Sequence, residues 1–149
     1  MKRLTYISRF SQPLAASDLE QLARAAAEKN RRLDITGVLV ASGGLFYQVL
    51  EGPQEHVDAL YFAIAQDERH TDVLLLSSDE PISERRFPDW AMQVVDLDAA
   101  SHVRLFPLKA LVKSVFDQQM LVRNMIWAIE RTIQHEMKVA VSGDVLEKT

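Results

Sequence analysis

Five short apolar stretches of this chain are bounded by polar or turn-forming residues, a pattern typical of β-strands. The predicted strands are residues 3–8, 35–41, 45–51, 73–77 and 90–95. Ser42-Gly43-Gly44 predicts a hairpin turn between the second and third strands. The fourth stretch is apolar along most of its length, which predicts a strand buried on both faces. In the fifth, alternation places Trp90, Met92 and Val94 on one face.

A period of three to four residues marks two helices between these strands. Ser17 and Glu20 predict a capping box at the start of the first helix, and Asn30 is expected at its end. Its apolar stripe consists of Leu19, Leu22, Ala23 and Ala26. The second helix follows Pro53, and its stripe consists of Val57, Leu60, Tyr61 and Ile64.

The chain changes character after about Asp98, where amphipathic stripes replace the strand patterns. They predict two C-terminal helices, the first starting near Pro107, with a break or turn at residues 117–119. We therefore expect a sheet domain at residues 1–97, a helical cap or output region at 98–141 and a frayed tail at 142–149.

The predicted order is β-α-β-β-α-β-β, followed by the two C-terminal helices. Strands that alternate with helices in this way predict an α+β, ferredoxin-like fold, in which both helices pack on one face of the sheet.

Composition narrows the classes of function. The 149 residues carry a formal net charge of −4, which argues against a broadly basic surface for nucleic acid. The chain contains no cysteine, so disulfides, thiolate nucleophiles and cysteine-bound metals are excluded. Apolar runs stay short of transmembrane length and the start lacks a signal-peptide pattern, so we expect a cytoplasmic protein without a membrane partner. The four histidines show no metal-ligand spacing, and no metal site is predicted.

Three polar side chains stand out on the apolar elements. Gln48 shares a strand face with Phe46 and Leu50, where its amide needs partners or costs about 1–3 kcal/mol. Tyr6 lies in the first strand and Asn30 closes the first helix. None of the three titrates near neutral pH, so they suit binding or redox chemistry better than acid–base catalysis. The structural alternative is a core tyrosine, a helix cap and a hydrogen-bonded core amide.

A family resemblance bears on this choice. The residues that carry it, in chain order, are Tyr6 with Ser8, Asn30, Ile35-Thr36-Gly37, Phe46-Tyr47-Gln48-Val49-Leu50-Glu51-Gly52, Asp67-Glu68-Arg69-His70, Arg86-Phe87-Pro88-Asp89-Trp90 and Met92. Over residues 1–97 the chain closely resembles the BLUF domain, the family of flavin-based blue-light sensors. Its size and C-terminal helices resemble the short, single-domain members.

The resemblance implies a flavin between the two helices. Leu22 and Ile64 would sandwich the ring, Asn30 would bond its polar edge, and Gln48 would lie between Tyr6 and the ring. Farther out, Asp67 would contact the ribityl chain, with Arg69 and His70 as further pocket residues. Some members have a phosphate-binding arginine where this chain has Ala63. Recognition of the phosphate is therefore weakly specified, so FMN and riboflavin are alternatives to the expected FAD.

The resemblance also implies a photosensory protein rather than an enzyme. Light would lead Tyr6 to give up an electron and a proton, and Gln48 would rotate or tautomerise. Trp90 and Met92 would relay this change to the C-terminal helices. We expect a homo-oligomer and a separate effector, for which a response-regulator-like protein and a cyclic-di-GMP phosphodiesterase are candidates. The alternatives are a cofactor-free ferredoxin-like adaptor and a flavin-dependent reductase.

Overall fold

The structure, a computed structural model, describes residues 1–147, and their side chains except those of residues 100–102 and 144–147. The chain divides into two compact units, Met1–Lys113 and Ser114–Thr149. The first unit holds the sheet, the two helices that follow its first and third strands, and the start of a C-terminal helix.

The sheet has five strands in the order β4-β1-β3-β2-β5. The strands are β1 (Lys2–Phe10), β2 (Thr36–Ser42), β3 (Leu45–Gly52), β4 (His70–Asp79) and β5 (Gln93–Asp96). β5 runs parallel to β2, whereas the other neighbours are antiparallel. Helix α1 (Ala16–Arg32) follows β1, and α2 (Gln54–Gln66) follows β3. The predicted order of elements and the α+β, ferredoxin-like class are confirmed.

Both helices pack on one face of the sheet because strand alternation directs apolar residues to that face. Leu4, Tyr6 and Leu50 form a buried cluster with Val57 of α2. Leu19 of α1 packs in a second cluster with residues of β2 and β3, namely Leu39, Ala41 and Phe46. The space between these two clusters contains the candidate site.

The ends of α1 differ from the sequence prediction. The helix begins at Ala16, and the backbone N–H of Ala15 donates to the Asp18 carboxylate at 3.3 Å. The capping box predicted at Ser17 and Glu20 is therefore wrong by two residues. At the other end, Asn30 is buried within the last turn, and the left-handed residue is Asp34, with φ of 55°.

Strand β4 lies at an edge of the sheet, next to β1 alone. Leu75 is 47% exposed, so the prediction of a strand buried on both faces is wrong. A continuous apolar run shows that a strand has apolar side chains on both faces. It does not show whether other elements of the fold cover both faces.

Strand β5 starts at Gln93, so Trp90 and Met92 both precede it. Trp90 is 44% exposed and stacks on Phe87, with ring centroids 6.1 Å apart. The prediction that Trp90 and Met92 share a strand face is wrong, because the segment before β5 is held by loop contacts and is not paired as a strand.

A short 3₁₀ helix (Ala100–Leu105) precedes α3, which runs without a break from Pro107 to Glu147. The predicted start at Pro107 is confirmed, but one helix replaces the two that were predicted. Residues 117–119 contain no glycine or proline that would interrupt a helix. Helix α3 also continues past Ser142, where fraying was predicted; residues 148 and 149 lie outside the described part. Among the described helices, none combines the length and apolar composition that crossing a membrane requires.

Candidate functional site

A cavity of about 290 Å³ lies between α1, α2 and the sheet. It brings together all eight side chains that the sequence predicted for cofactor binding, which are Tyr6, Leu22, Asn30, Gln48, Ile64, Asp67, Arg69 and His70. Met92 also lines the cavity. The roles of these residues stay predictions, but their convergence from five separate parts of the chain defines one candidate site.

Apolar side chains form the two helical walls of this cavity. Leu22 and Ala26 come from α1, and Leu60 and Ile64 come from α2. Their period of three to four residues keeps each pair on the helix face directed at the sheet. Two apolar walls with polar groups at the edges suit a flat, largely apolar ligand with a polar rim.

Gln48 and Tyr6 form a hydrogen bond on the sheet side of the cavity. The two residues are direct partners in the pairing of β1 with β3, and the Tyr6 hydroxyl donates to Gln48 Oε1. Gln48 Nε2 donates to Met92 Sδ at 3.4 Å. Burial raises the pKa of Tyr6 above its ordinary value, and the nearby Tyr61 adds to the shift, so the phenol stays protonated. The Gln48 amide thus donates at one end and accepts at the other.

Asn30 and His70 are fixed by contacts that the sequence did not reveal. Asn30 Nδ2 donates to the carbonyl of Ala91 at 2.8 Å, and Asn30 is 1% exposed. His70 Nδ1 lies 2.9 Å from Ser8 Oγ. Burial lowers the pKa of His70, partly offset by Asp67, so the neutral ring is favoured near pH 7. Ser8 could have been anticipated, because it is two residues from Tyr6 and therefore on the same strand face.

Asp67 and Arg69 form a charged pair at the more exposed end of the cavity. Arg69 Nη2 lies 2.6 Å from Asp67 Oδ2, and the backbone N–H of Arg69 donates to Asp67 Oδ1 at 2.9 Å. These bonds from Arg69 lower the pKa of Asp67 from 3.8 to about 2. Asp67 is therefore an ionised acceptor at neutral pH.

A larger open groove of about 660 Å³ lies at the other end of α1, beside the β2–β3 hairpin. Phe46 lines both spaces, whereas Tyr6, Asn30 and Gln48 line the smaller cavity. Among the described residues, no group of three histidines or carboxylates is arranged to hold a metal ion. The eight predicted site residues therefore line the smaller cavity and not the larger groove.

Trp90 and Met92, the two predicted relay residues, occupy different places. Met92 contacts Gln48 directly, whereas Trp90 lies on the outer side and its carbonyl accepts from the Gly37 N–H at 2.9 Å. Sequence reasoning did not single out Glu51 as a site residue. It is 0% exposed and bonded to the segment that leads to Trp90. A charged side chain at a strand end is ordinarily exposed to solvent, so the neighbouring sequence did not predict that Glu51 is buried.

Comparison with known proteins agrees with the geometry. Residues 1–93 match the family model of BLUF, described as sensors of blue-light using FAD. The photoactivated adenylate cyclase subunit beta of Euglena longa is 44% identical over 90 residues, which make up 60% of this chain and 10% of that protein. This chain therefore spans only a small part of that relative.

Two solved structures extend the comparison. A bacterial light-regulated adenylyl cyclase has 37% identity and a TM-score of 0.75, covering 83% of this chain and 36% of that one. BlrB, a BLUF protein in its dark state, has 34% identity and a TM-score of 0.63, covering 78% of this chain and 96% of that one. The chain belongs to the BLUF family, whose domains are photosensors and not enzymes.

Proposed function

We propose that this protein is a blue-light photoreceptor that binds a flavin in the cavity between α1 and α2. The observation that carries the proposal is the Gln48 amide, which is bonded to Tyr6 and Met92 and lines an apolar cavity. An amide in this position can report a change in its surroundings because its two ends have opposite hydrogen-bonding roles.

The residues present fit an isoalloxazine ring. Leu22 and Ile64, on opposite helices, would hold its two faces. Asn30 donates through Nδ2 to Ala91, so its Oδ1 is available as an acceptor for the ring imide N–H. The cavity volume of about 290 Å³ is at the lower end of ordinary ligand pockets, which suits the ring system alone, with the remaining parts of the cofactor directed outwards.

FAD is the proposed cofactor, with FMN and riboflavin as the alternatives. The ionised Asp67 would accept hydrogen bonds from ribityl hydroxyls near the cavity mouth. Ala63 lines the cavity without a charge, and Arg69 is already paired with Asp67, so recognition of phosphate depends on few groups. Lys29 also lines the cavity and is a cation that could approach a phosphate.

A bound flavin would supply absorption of blue light and an excited state oxidising enough to draw an electron from a tyrosine. Tyr6 is the proposed donor. A phenol that loses an electron becomes strongly acidic, and the Tyr6 hydroxyl is bonded to Gln48 Oε1, so the amide oxygen is the first acceptor of the proton. Return of the electron and of a proton to Tyr6 would restore the phenol and leave Gln48 tautomerised or rotated.

Rotation of the Gln48 amide has a direct consequence for Met92. It would exchange Oε1 and Nε2, which leaves a bond with Tyr6 because a hydroxyl both donates and accepts. A thioether only accepts, so the bond between Gln48 and Met92 would be lost, at about 0.5–1.5 kcal/mol. Met92 is therefore the first residue through which the altered amide could act on the segment before β5.

We propose that residues 1–97 form the photosensor and residues 98–141 the output region, read by a separate effector in the cytoplasm. A response-regulator-like protein and a cyclic-di-GMP phosphodiesterase are the candidate effectors, and no nucleic-acid partner is expected. The helical part of the second unit carries exposed apolar residues spaced alternately by four and three, which are Val122, Ile126, Ile129 and Ile133. This spacing is that of a coiled-coil seam, so a second copy of this chain is the proposed occupant.

An absorption spectrum before and after blue illumination tests the proposal. The purified protein is expected to be yellow and to show a red shift of the flavin bands that reverses in the dark. A protein that stays colourless after flavin supplementation supports the cofactor-free adaptor. A coloured protein that oxidises reduced nicotinamide and shows no light response supports the reductase. Either result overturns the photoreceptor.

A further inference from the structure

The exposed members of the cavity lining show where the cavity opens to solvent. Asn30 and Gln48 are buried, but four other lining residues are exposed. These are Ala25 and Lys29 of α1, Ala63 of α2, and Arg69 of the loop that follows α2. Ala25 and Lys29 are four positions apart and therefore lie on the same side of their helix. The opening formed by these four residues, the mouth, thus lies between α1 and α2, and the tail of a bound flavin would leave through it.

The charges around the mouth come from three side chains of the lining, Lys29, Asp67 and Arg69. Arg69 donates to the Asp67 carboxylate through Nη2 at 2.6 Å and through Nε at 3.1 Å, so these two charges offset each other. Within the described part of the chain Lys29 forms no ion pair, and its neighbour Glu28 pairs instead with Arg32 at 3.0 Å. Lys29 therefore gives the lining its net positive charge.

Flavins differ in the charge that they would bring to this mouth. The phosphate of FMN is a monoester, which carries a charge of about −1.5 to −2 near pH 7. The phosphates of FAD are diesters with a smaller charge on each, and riboflavin has no phosphate. A lysine is a compact charge on a flexible stem, which suits a phosphate at the end of a flexible ribityl chain. Lys29 directly precedes Asn30, so its side chain starts beside the ring site.

A structural role at the end of α1 is the competing explanation for Lys29. Lys29, Arg31 and Arg32 all lie in the last turn, where cations interact favourably with the helix dipole. Of these three residues, only Lys29 lines the cavity. A role limited to the helix end would be shared by Arg31, whereas a role towards the cofactor would be specific to Lys29.

We propose that Lys29 recognises the phosphate at the end of the ribityl chain and so selects the phosphorylated flavins, FMN and FAD, over riboflavin. This role rests on the flavin-binding photoreceptor function proposed above. The cation would come from α1, across the mouth from Ala63, where some members of the family have a phosphate-binding arginine. Because Ala63 and Ala25 are small, they leave the mouth open on both sides of the lysine.

The test compares the affinities of three flavins for the full chain. Bound flavin is removed, and dissociation constants for riboflavin, FMN and FAD are measured at low ionic strength from the quenching of flavin fluorescence. Lys29→Gln removes the charge, and Lys29→Arg keeps it. Arg31→Gln is the matched control, because it removes the same charge from an exposed residue of the same helical turn that does not line the cavity. Circular dichroism verifies the fold of each variant.

Lys29→Gln should weaken the binding of FMN about fivefold, the upper range for an exposed charge pair, and that of FAD by less. Binding of riboflavin should stay unchanged. The loss for FMN should shrink at high ionic strength, because salt screens an exposed pair. Lys29→Arg and Arg31→Gln should both match the unsubstituted protein.

Three results would overturn the role of Lys29. An equal loss for all three flavins would indicate a structural role, and an equal loss of FMN affinity in Arg31→Gln would indicate an effect of overall charge. Unchanged affinities in Lys29→Gln, in a protein that still shows the reversible red shift, would reject Lys29 and leave the photoreceptor function standing. A protein that binds none of the three flavins would refute both.

Discussion

Tyr6→Phe removes one hydroxyl and leaves the ring in place. The Tyr6 hydroxyl donates to Gln48 Oε1, and the two residues are 1% and 7% exposed. A buried acceptor that loses its donor costs about 1–3 kcal/mol. For a chain of this size each kcal/mol lowers Tm by roughly 2–4 °C, so the expected decrease is on the order of 2–12 °C. Circular dichroism during heating measures it.

The same substitution should abolish the response to light. Phenylalanine has no hydroxyl proton to pass to Gln48, and its ring is a far poorer electron donor than a phenol. Flavin binding should persist, because the apolar walls formed by the helices are unchanged. The assay is the difference between absorption spectra recorded before and after blue illumination, on protein with bound flavin.

Tyr61→Phe is the matched control for this experiment. Its ring centroid lies 5.6 Å from that of Tyr6, and it loses the same hydroxyl at a half-buried position on α2. The control should keep the full red shift. A full red shift in Tyr6→Phe would refute the role of Tyr6 as donor. Loss of the shift in both variants would show that the light response depends on both tyrosines and not on the Tyr6 hydroxyl alone.

Three further predictions address other parts of the molecule. Gln48→Leu should keep bound flavin and lose the light-induced shift; a shift of full size would contradict the amide switch. Because Arg69 lowers the pKa of Asp67 from 3.8 to about 2, this pair stabilises the fold fully above pH 3.8 and loses its effect as pH falls towards about 2. Asp67→Asn should remove that part of the acid-unfolding curve, and an unchanged curve would reject the pair. Ile126→Glu should weaken self-association in sedimentation, whereas Gln134→Glu, which adds the same charge off the seam, should not; equal effects would refute the seam.

Local periodicity explains what the sequence could predict. Alternation along β1 and β3 places Tyr6, Ser8 and Gln48 on one face, and the helical stripes place Leu22 and Ile64 opposite them. These patterns arise from residues close together in the chain, so they can be recognised without knowledge of the tertiary structure. Periodicity alone did not predict that all of these residues line one cavity. That prediction came from the order of the family motifs along the chain.

The contacts that periodicity missed join residues far apart in sequence. Gln48 and Met92 are 44 positions apart, and Asn30 and Ala91 are 61 apart. Both depend on a segment that leaves the sheet after β4 and returns before β5. The predicted strand at residues 90–95 failed for the same reason, since an apolar alternation cannot show that the Asn30 side chain of α1 and the Gly37 backbone N–H of β2 hold its first half.

Glu51 is the clearest example of a residue whose environment is set by contacts distant in sequence. From its neighbours it is a charged residue at a strand end, for which exposure to solvent is the ordinary expectation. It is buried because Arg3, its direct partner in the pairing of β1 with β3, and the backbone of residues 86 and 87 surround it with donors. Removing one partner of such a group leaves a buried charge without compensation, which is costlier than losing an exposed ion pair. The strand that carries the amide in the cavity therefore also fixes, on its other face, the segment that contacts that amide.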